Sequence, residues 1–206
     1  NSASPRVTNC TFSGNAAEFG GGMYNENSSP TVTNCIFSAN EADSGGGIFN
    51  GNSASPRVTN CTFSGNAAES GGGMYNENSS PTVVNTILWG NVAPDDRGPD
   101  IYQEKGALTL NHCVVGTYKL GNEANENITD LIAVDPKLTA LDVNREPTTD
   151  PAKVYIYGLE PGSPALDAGL PVGETISGDV KVPDVDQLGT ARPQGAGVDI
   201  GAFEKP

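Results

Sequence analysis

The segment Ser4-Pro-Arg-Val-Thr-Asn-Cys-Thr-Phe-Ser-Gly-Asn15, followed by Gly20-Gly-Gly-Met-Tyr-Asn25, is written again from Ser29 to Asn50 and again from Ser55 to Asn76. A fourth copy, more diverged, begins at Ser80-Pro-Thr-Val-Val-Asn85. Cys10, Cys35 and Cys61 mark the interval, which is 25 and then 26 residues. A fixed period of that size dictates a stacked architecture, because one such unit cannot bury its own apolar face.

Within a unit the apolar residues form three short groups: Val7, then Cys10 and Phe12, then Met23. Each alternates with polar neighbours, the period of a strand with one face inward. No window carries the i, i+3, i+4, i+7 pattern, and Pro and Gly interrupt every segment, so helix is excluded over residues 1–91. Asn9 separates Val7 from Cys10 and reverses the alternation, which places a tight bend there; Asn tolerates the left-handed conformation that bend needs. The Glu26–Pro30 stretch and the Glu18–Gly22 stretch read as the other two turns.

Three strands and three turns in about 25 residues make one coil of a right-handed parallel β-helix, with strands of successive coils about 4.8 Å apart. Like residues then lie over like. Phe12, Phe37 and Phe63 form one ladder, continued by Leu88; Val7, Val32, Val58 and Val83 a second; Met23, Ile48 and Met74 a third. Asn9, Asn34, Asn60 and Asn85 are expected to stack their amides at the bend. Cys10, Cys35 and Cys61 share one register. Disulfides between coils suit a secreted protein, whereas stacked inward side chains give poor disulfide geometry, so a ladder of buried thiols is the favoured arrangement. A leucine-rich repeat lacks its signature here, and a propeller blade needs about 40 residues.

The chain has 206 residues and a formal net charge of −14. That balance argues against a nucleic-acid partner and against an anionic membrane surface. No apolar run approaches the ~18 residues of a membrane span. No export signal is evident, and Asn1 opens in mid-turn, equivalent to Gly51–Pro56; a processed form or a fragment is expected. Charged residues are only 17% of the chain; Asn, Ser, Thr and Gly replace them, a composition that fits the thin core of a β-helix. Near-identical repetition suits a scaffold better than a catalytic centre, which needs different residues at one place.

Ile101 and Tyr102 take the place of Met23 and Tyr24, and Leu108–Val115 supplies the strand pair of a fifth coil, with His112 at the bend position. Residues 1–116 are read as coils and 117–206 as a C-terminal segment that continues and caps the helix. In the latter, Asn122–Asn127 reads as a polar loop, 145–153 as a Pro- and Thr-rich excursion, and Val154–Tyr157 as a strand. Asp186 and Arg192 are read as a pair tying the last loops, with Val198, Ile200 and Phe203 inward. Outward positions of the repeat strands are Thr8, Thr11, Thr33, Ile36, Thr59 and Thr62, none a carboxylate, and no catalytic residue is assigned.

Two resemblances follow from these residues. Phe12–Asn15, Phe37–Asn40 and Phe63–Asn66, alternating with Gly-Gly-Gly-Met/Ile, resemble the Phe-x-x-Asn and Gly-Gly-Ala-Ile repeats of polymorphic outer-membrane proteins, with Gly here in place of Ala. Asp135-Pro136, Pro161–Gly169, Asp186 with Gly189, Arg192-Pro193 and Asp199–Glu204 resemble the choice-of-anchor Q domain. Together they imply an extracellular or cell-surface bacterial β-helix protein and imply no enzymatic activity. The expected partners are a second copy, stacked head to tail through an open coil, or a surface glycan or host ligand; a polysaccharide-binding or lyase-like β-helix is the alternative. No cofactor is expected, with one calcium candidate at Asp184 and Asp186, where D-x-D-x-x-G opens like a calcium loop but lacks the closing Glu.

Overall fold

A computed structural model describes residues 4–139, 142–143, 155–177 and 180–205 of the chain. The first coil carries β1 (Arg6–Thr8), β2 (Thr11–Ser13), β3 (Ala16–Phe19) and β4 (Met23–Glu26). The second carries β5 (Thr31–Thr33), β6 (Ile36–Ser38), β7 (Glu41–Ser44) and β8 (Ile48–Gly51), and the third β9 (Arg57–Thr59), β10 (Thr62–Ser64), β11 (Ala67–Ser70) and β12 (Met74–Asn76). The fourth has β13 (Thr82–Val84) and β14 (Ile87–Leu88), then a short 3-10 turn at Asp95–Arg97. Two long strands, β15 (Ile101–Val115) and β16 (Tyr118–Ile132), follow.

Every pairing among these strands is parallel, and all but β15–β16, whose register shifts between Gln103 and Lys105, are in register throughout: Val7 on Val32 on Val58 on Val83 on Leu110, and Phe12 on Phe37 on Phe63 on Leu88 on Val115. Met74 sits between Ile48 and Ile101. The fold is a right-handed parallel β-helix with almost no helix, as the period requires.

Three features depart from the sequence reading. Each of the first three coils has four strand segments, not three. Ala16–Phe19, whose last two residues were expected to lie in a turn, pairs with Glu41–Ser44, which pairs on its other side with Ala67–Ser70, in a sheet of its own. Its small and polar residues give no apolar alternation, yet stacked copies still exchange backbone hydrogen bonds. Asn122–Asn127 is not a loop: Asn125 pairs with Ala107 and Asn127 with Thr109 inside β16, so the strand below overrides polar composition. And no described strand of the C-terminal segment pairs with the outer side of β16, the last strand edge. The segment's described residues run along the side of the stack, against the β2–β6–β10–β14 face.

That placement has a physical cause. The outward residues of this face are Thr11, Ile36, Thr62, Ile87 and Val114, several of them apolar, and Ile36, Thr62, Ile87 and Val114 are buried. Ile200, Ala165 and Leu159 pack on Ile87 and Val114 as a second apolar cluster. The strand edge of β16 is instead rich in exposed polar and charged residues, a common protection of an unpaired edge. Polar ties pin the segment to each coil: Gln187 Nε2 donates to Cys10 O at 3.2 Å, Asn34 Nδ2 to Val185 O at 2.9 Å, and Ala202 N to Thr62 Oγ1 at 3.2 Å. On the fourth coil Leu170 N donates to Asn85 Oδ1 at 2.6 Å and Gly201 N to Asn85 O at 2.8 Å.

The segment holds two two-stranded antiparallel pieces, β17 (Asp142–Val143) with β18 (Tyr155–Ile156), and β19 (Thr175–Ser177) with β20 (Val180–Lys181). Val154 and residues 145–153, read as the start of a strand and as an excursion, lie outside the described residues. Val198 and Ile200 are buried as expected, but Phe203 is only half-buried and Ala202 takes the inward place.

The principal core is a column inside the coils, and Phe63, Met74, Leu88 and Leu110 are all fully buried in it. The triple glycines allow the coils to approach at one corner. A Cβ at Gly72 would lie 2.4 Å from Val92 O and 2.7 Å from Pro99 O, so no other residue fits there. No described helix is long and apolar enough to cross a membrane.

Candidate functional site

The aromatic ladder consists of near-parallel rings. Phe12 and Phe37 have centroids 4.8 Å apart with planes at 5°, and Phe37 and Phe63 are 4.5 Å apart at 4°. Rings forced into one register by backbone pairing gain area burial and offset stacking together.

The bend residues Asn9, Asn34, Asn60 and Asn85 all have positive φ, between 47° and 56°, and His112 joins them at 49°. Their side chains do not form the expected continuous ladder. Asn34 donates to Asn9 Oδ1 at 3.2 Å, but neither amide atom of Asn60 has a partner, and Asn85 turns to Leu170. The bend fixes the backbone, and the outward amides are then free to engage the C-terminal segment.

The continuous amide columns lie elsewhere. Asn15 Nδ2 donates to Asn40 Oδ1 at 2.9 Å, Asn40 to Asn66 at 2.9 Å, Asn66 to Asn91 at 2.8 Å, and Asn91 to Asp100 Oδ1 at 2.7 Å. Each backbone N–H of this series donates to the same acceptor at 3.1 Å. A second column runs from Asn25 to Asn50 to Asn76. The signal for both was in the repeats, as the Asn ending Phe-x-x-Asn and the Asn two residues past Met or Ile. All donors of the first column point one way, so an acceptor-only group completes it. Asp100 is that group, and its other oxygen accepts Thr117 N at 2.8 Å.

Cys10, Cys35, Cys61 and Cys113 are free thiols. The Sγ of Cys35 and of Cys61 donates to the carbonyl two residues back, at 3.1 and 3.2 Å, and accepts the N–H of the cysteine one coil earlier. In the fourth coil Thr86 Oγ1 does both jobs, donating to Val84 O and accepting Cys61 N. The position thus selects a small side chain with a rotatable donor and lone pairs. Burial pushes the Cys61 thiol up and the Cys113 thiol to about 12, so both are poor nucleophiles. Cys61→Thr should be nearly neutral, whereas Cys61→Val should lose about 1–2 kcal/mol by leaving Cys35 N–H without an acceptor; denaturant midpoints of the two variants check this.

The expected Asp186–Arg192 pair is corrected by the geometry. The fully buried Arg192 guanidinium donates to Glu204 Oε2 at 2.7 Å, to Asp199 O at 3.0 Å and to Gly201 O at 2.9 Å. Asp186 is buried nearby, but its oxygens accept the N–H groups of Leu188, Thr190 and Glu204. Glu204 lies twelve residues beyond Arg192, on the final turn, and no local spacing points to it. D-x-D-x-x-G is therefore a turn built on Asp186, with Asp184 exposed and facing elsewhere. Among the described residues no group of three or more His, Cys, Asp or Glu side chains gathers as a metal site.

Burial raises Asp100, Asp199 and Glu204 above ordinary carboxylate values. A raised folded-state value favours the protonated form in the fold. Stability from these groups is then complete below their ordinary values near 4 and is lost as pH rises through the folded ones. Relief of the −14 net charge acts in the same direction. The thermal midpoint should therefore be higher at about pH 4 than at about pH 8, checked by circular dichroism at fixed ionic strength.

Two surface features could meet a ligand. The first is an outward aromatic column, Tyr24, Phe49, Tyr75 and Tyr102, with centroids 5.3, 5.3 and 5.5 Å apart. Tyr24 is 49% exposed and the adjoining Phe19 41%. Tyr24 donates to Glu26 at 2.9 Å and Tyr75 to Glu104, so a row of carboxylates accompanies the rings. The tyrosines recur one residue after each inward Met or Ile and are readable in the repeats as a ladder; the register adds Phe49 and Tyr102 and makes the ladder an aromatic platform. The second is a cleft of about 450 Å³ between the β1–β5 face and the β19–β20 hairpin, bordered by Arg6, Thr8, Thr31, Thr33, Lys181 and Asp184.

A stack of parallel coils with in-register ladders defines the class, and the family comparison agrees. The chain matches the family described as "Right handed beta helix region" over residues 1–124 and belongs to it. That family contains pectate-lyase-like enzymes as well as non-enzymes, and the fold is consistent with a structural or a carbohydrate-binding module. No curated protein and no solved structure matches.

Proposed function

We propose that this chain is a non-catalytic structural and adhesive module of a secreted or cell-surface bacterial protein, its coils acting as a rigid spacer that presents a repeating lateral face. The observation that carries this reading is that the same residues recur at the same place in the first three coils, with like-shaped replacements such as Thr86 and Leu88 in the fourth. Phe, Asn and Cys columns stabilise the stack uniformly, and the outward Tyr24–Tyr102 column with its carboxylates is the same surface repeated. Repetition multiplies weak contacts along a polymer or a cell surface. The resemblance of the repeats to polymorphic outer-membrane proteins and of the tail to the choice-of-anchor Q domain supports the bacterial surface location.

End-to-end stacking of copies through the β16 edge belongs to the same proposal, since no described strand pairs with its outer side. Light scattering at high concentration tests it, and a monodisperse monomer would remove it. The second reading, a polysaccharide-binding or lyase-like β-helix, is favoured by the family's membership. Incubation with pectate, alginate and hyaluronan separates the two. Unchanged polymer is the expected result; turnover abolished by a single Asp or Glu substitution would sink the non-catalytic reading.

A further inference from the structure

The cleft under the β19–β20 hairpin runs against the charge of the whole molecule. The chain has 25 acidic and 11 basic residues. Two of the basic ones, Arg6 and Lys181, border this cleft from opposite walls, against a single bordering carboxylate, Asp184. Arg57 stands on the same outward column as Arg6, with Thr31 between them in the register, which sets the two arginines about 10 Å apart. Among the described residues the ion pairs are Lys105–Glu123, His112–Asp130 and Arg192–Glu204, and none of these three cations takes part in one.

The wall beside the cleft is also polar and incompletely satisfied. Ten buried side-chain polar atoms in the described protein lack a hydrogen-bond partner, and five belong to four neighbours on two rungs: Asn34, Arg57, Thr59 and Asn60. Such groups are rare in native structures, and a cluster of them needs an explanation other than packing. Arg6 is exposed and sits beside Thr31 in the strand register, while Thr8 and Thr33 form the next rung pair bordering the same cleft. A guanidinium, an ammonium and hydroxyl donors around one opening are the chemistry that recognises an oxyanion.

We propose that this cleft binds an oxyanion, a carboxylate, sulfate or phosphate group, between Arg6 and Lys181, with the hydroxyls of Thr8, Thr31 and Thr33 as further donors and Arg57 adding positive field from the third rung. The group belongs either to a free inorganic ion or to an acidic sugar. Asp184 at the rim, set against Arg6 and Lys181, leaves the opening with a small net positive charge.

Amide NMR of the full chain, titrated separately with sulfate, phosphate, glucuronate and neutral glucose, tests the proposal. The expected result is saturable shifts at Thr8, Thr31 and Thr33 with at least one charged probe and none with glucose. Affinity should fall about tenfold in Arg6→Gln and in Lys181→Gln, and should fall as salt is raised, with the thermal midpoint unchanged. Tighter binding of glucuronate than of the inorganic ions assigns the acidic-sugar source; equal or weaker binding assigns the free ion. Absence of saturable shifts with every charged probe, or shifts undiminished in the Arg6→Gln/Lys181→Gln double variant, overturns the site.

Discussion

Arg192→Ala should release the C-terminal segment from the side of the β-helix and destabilise the protein by about 3–5 kcal/mol, the usual consequence of leaving one member of a buried ion pair without the other. Glu204 would keep a buried charge, and the carbonyls of Asp199 and Gly201 would lose their donor. The loss is local in the first instance. The segment touches the coils at Cys10, Asn34, Thr62 and Asn85, so its release exposes Ile36, Ile87 and Val114 while the parallel pairings stay intact. Limited proteolysis should cut within residues 157–205 far faster than in the wild type and leave the coils resistant. The double variant Arg192→Met with Glu204→Met should lose much less than the two single variants together, because no unpaired charge remains. Equal proteolysis of Arg192→Ala and wild type would remove Arg192 from the role of clamp.

The second large effect is at the centre of the ring stack. Phe63→Ala should cost about 3–5 kcal/mol, as large-to-small changes at fully buried aromatic sites do. Phe63 is fully buried between Phe37 and Leu88. Phe12→Ala should cost clearly less, since Phe12 is only partly buried and has one ring neighbour. Denaturant unfolding of the two variants measures the difference. Equal costs would mean that the ladder is not a graded column with a protected middle.

What the sequence made legible follows from what a repeat can show. Identity between copies carries the register, so the stacking of Val7, Phe12, Met23 and their equivalents was readable without coordinates. The left-handed bend at Asn9 was readable because Asn interrupts the alternation at one place in each copy. The fourth strand, Ala16–Phe19, was not, because its pairing rests on backbone hydrogen bonds and its side chains carry no apolar pattern. Which asparagine column is continuous was also hidden. Both kinds recur at the same period and both are buried, and only the direction of the side chain separates Asn40 and Asn66, which bond to their copies, from Asn60, which does not. In the tail Arg192 was singled out as one half of a pair with Asp186, but its partner is Glu204, because buried charges pair by three-dimensional proximity and not by spacing in the chain. The cleft at Arg6 and Lys181 joins residues 175 positions apart in the chain, and no local motif announces it.

The most direct test of the stacked-coil account is an experimentally determined crystal structure inspected at three residues. The account predicts Phe12, Phe37 and Phe63 as one column of near-parallel rings with centroids 4.8 and 4.5 Å apart, each on the inner face of its coil. Rings found in unlike surroundings, or separated by more than one strand spacing, would contradict it.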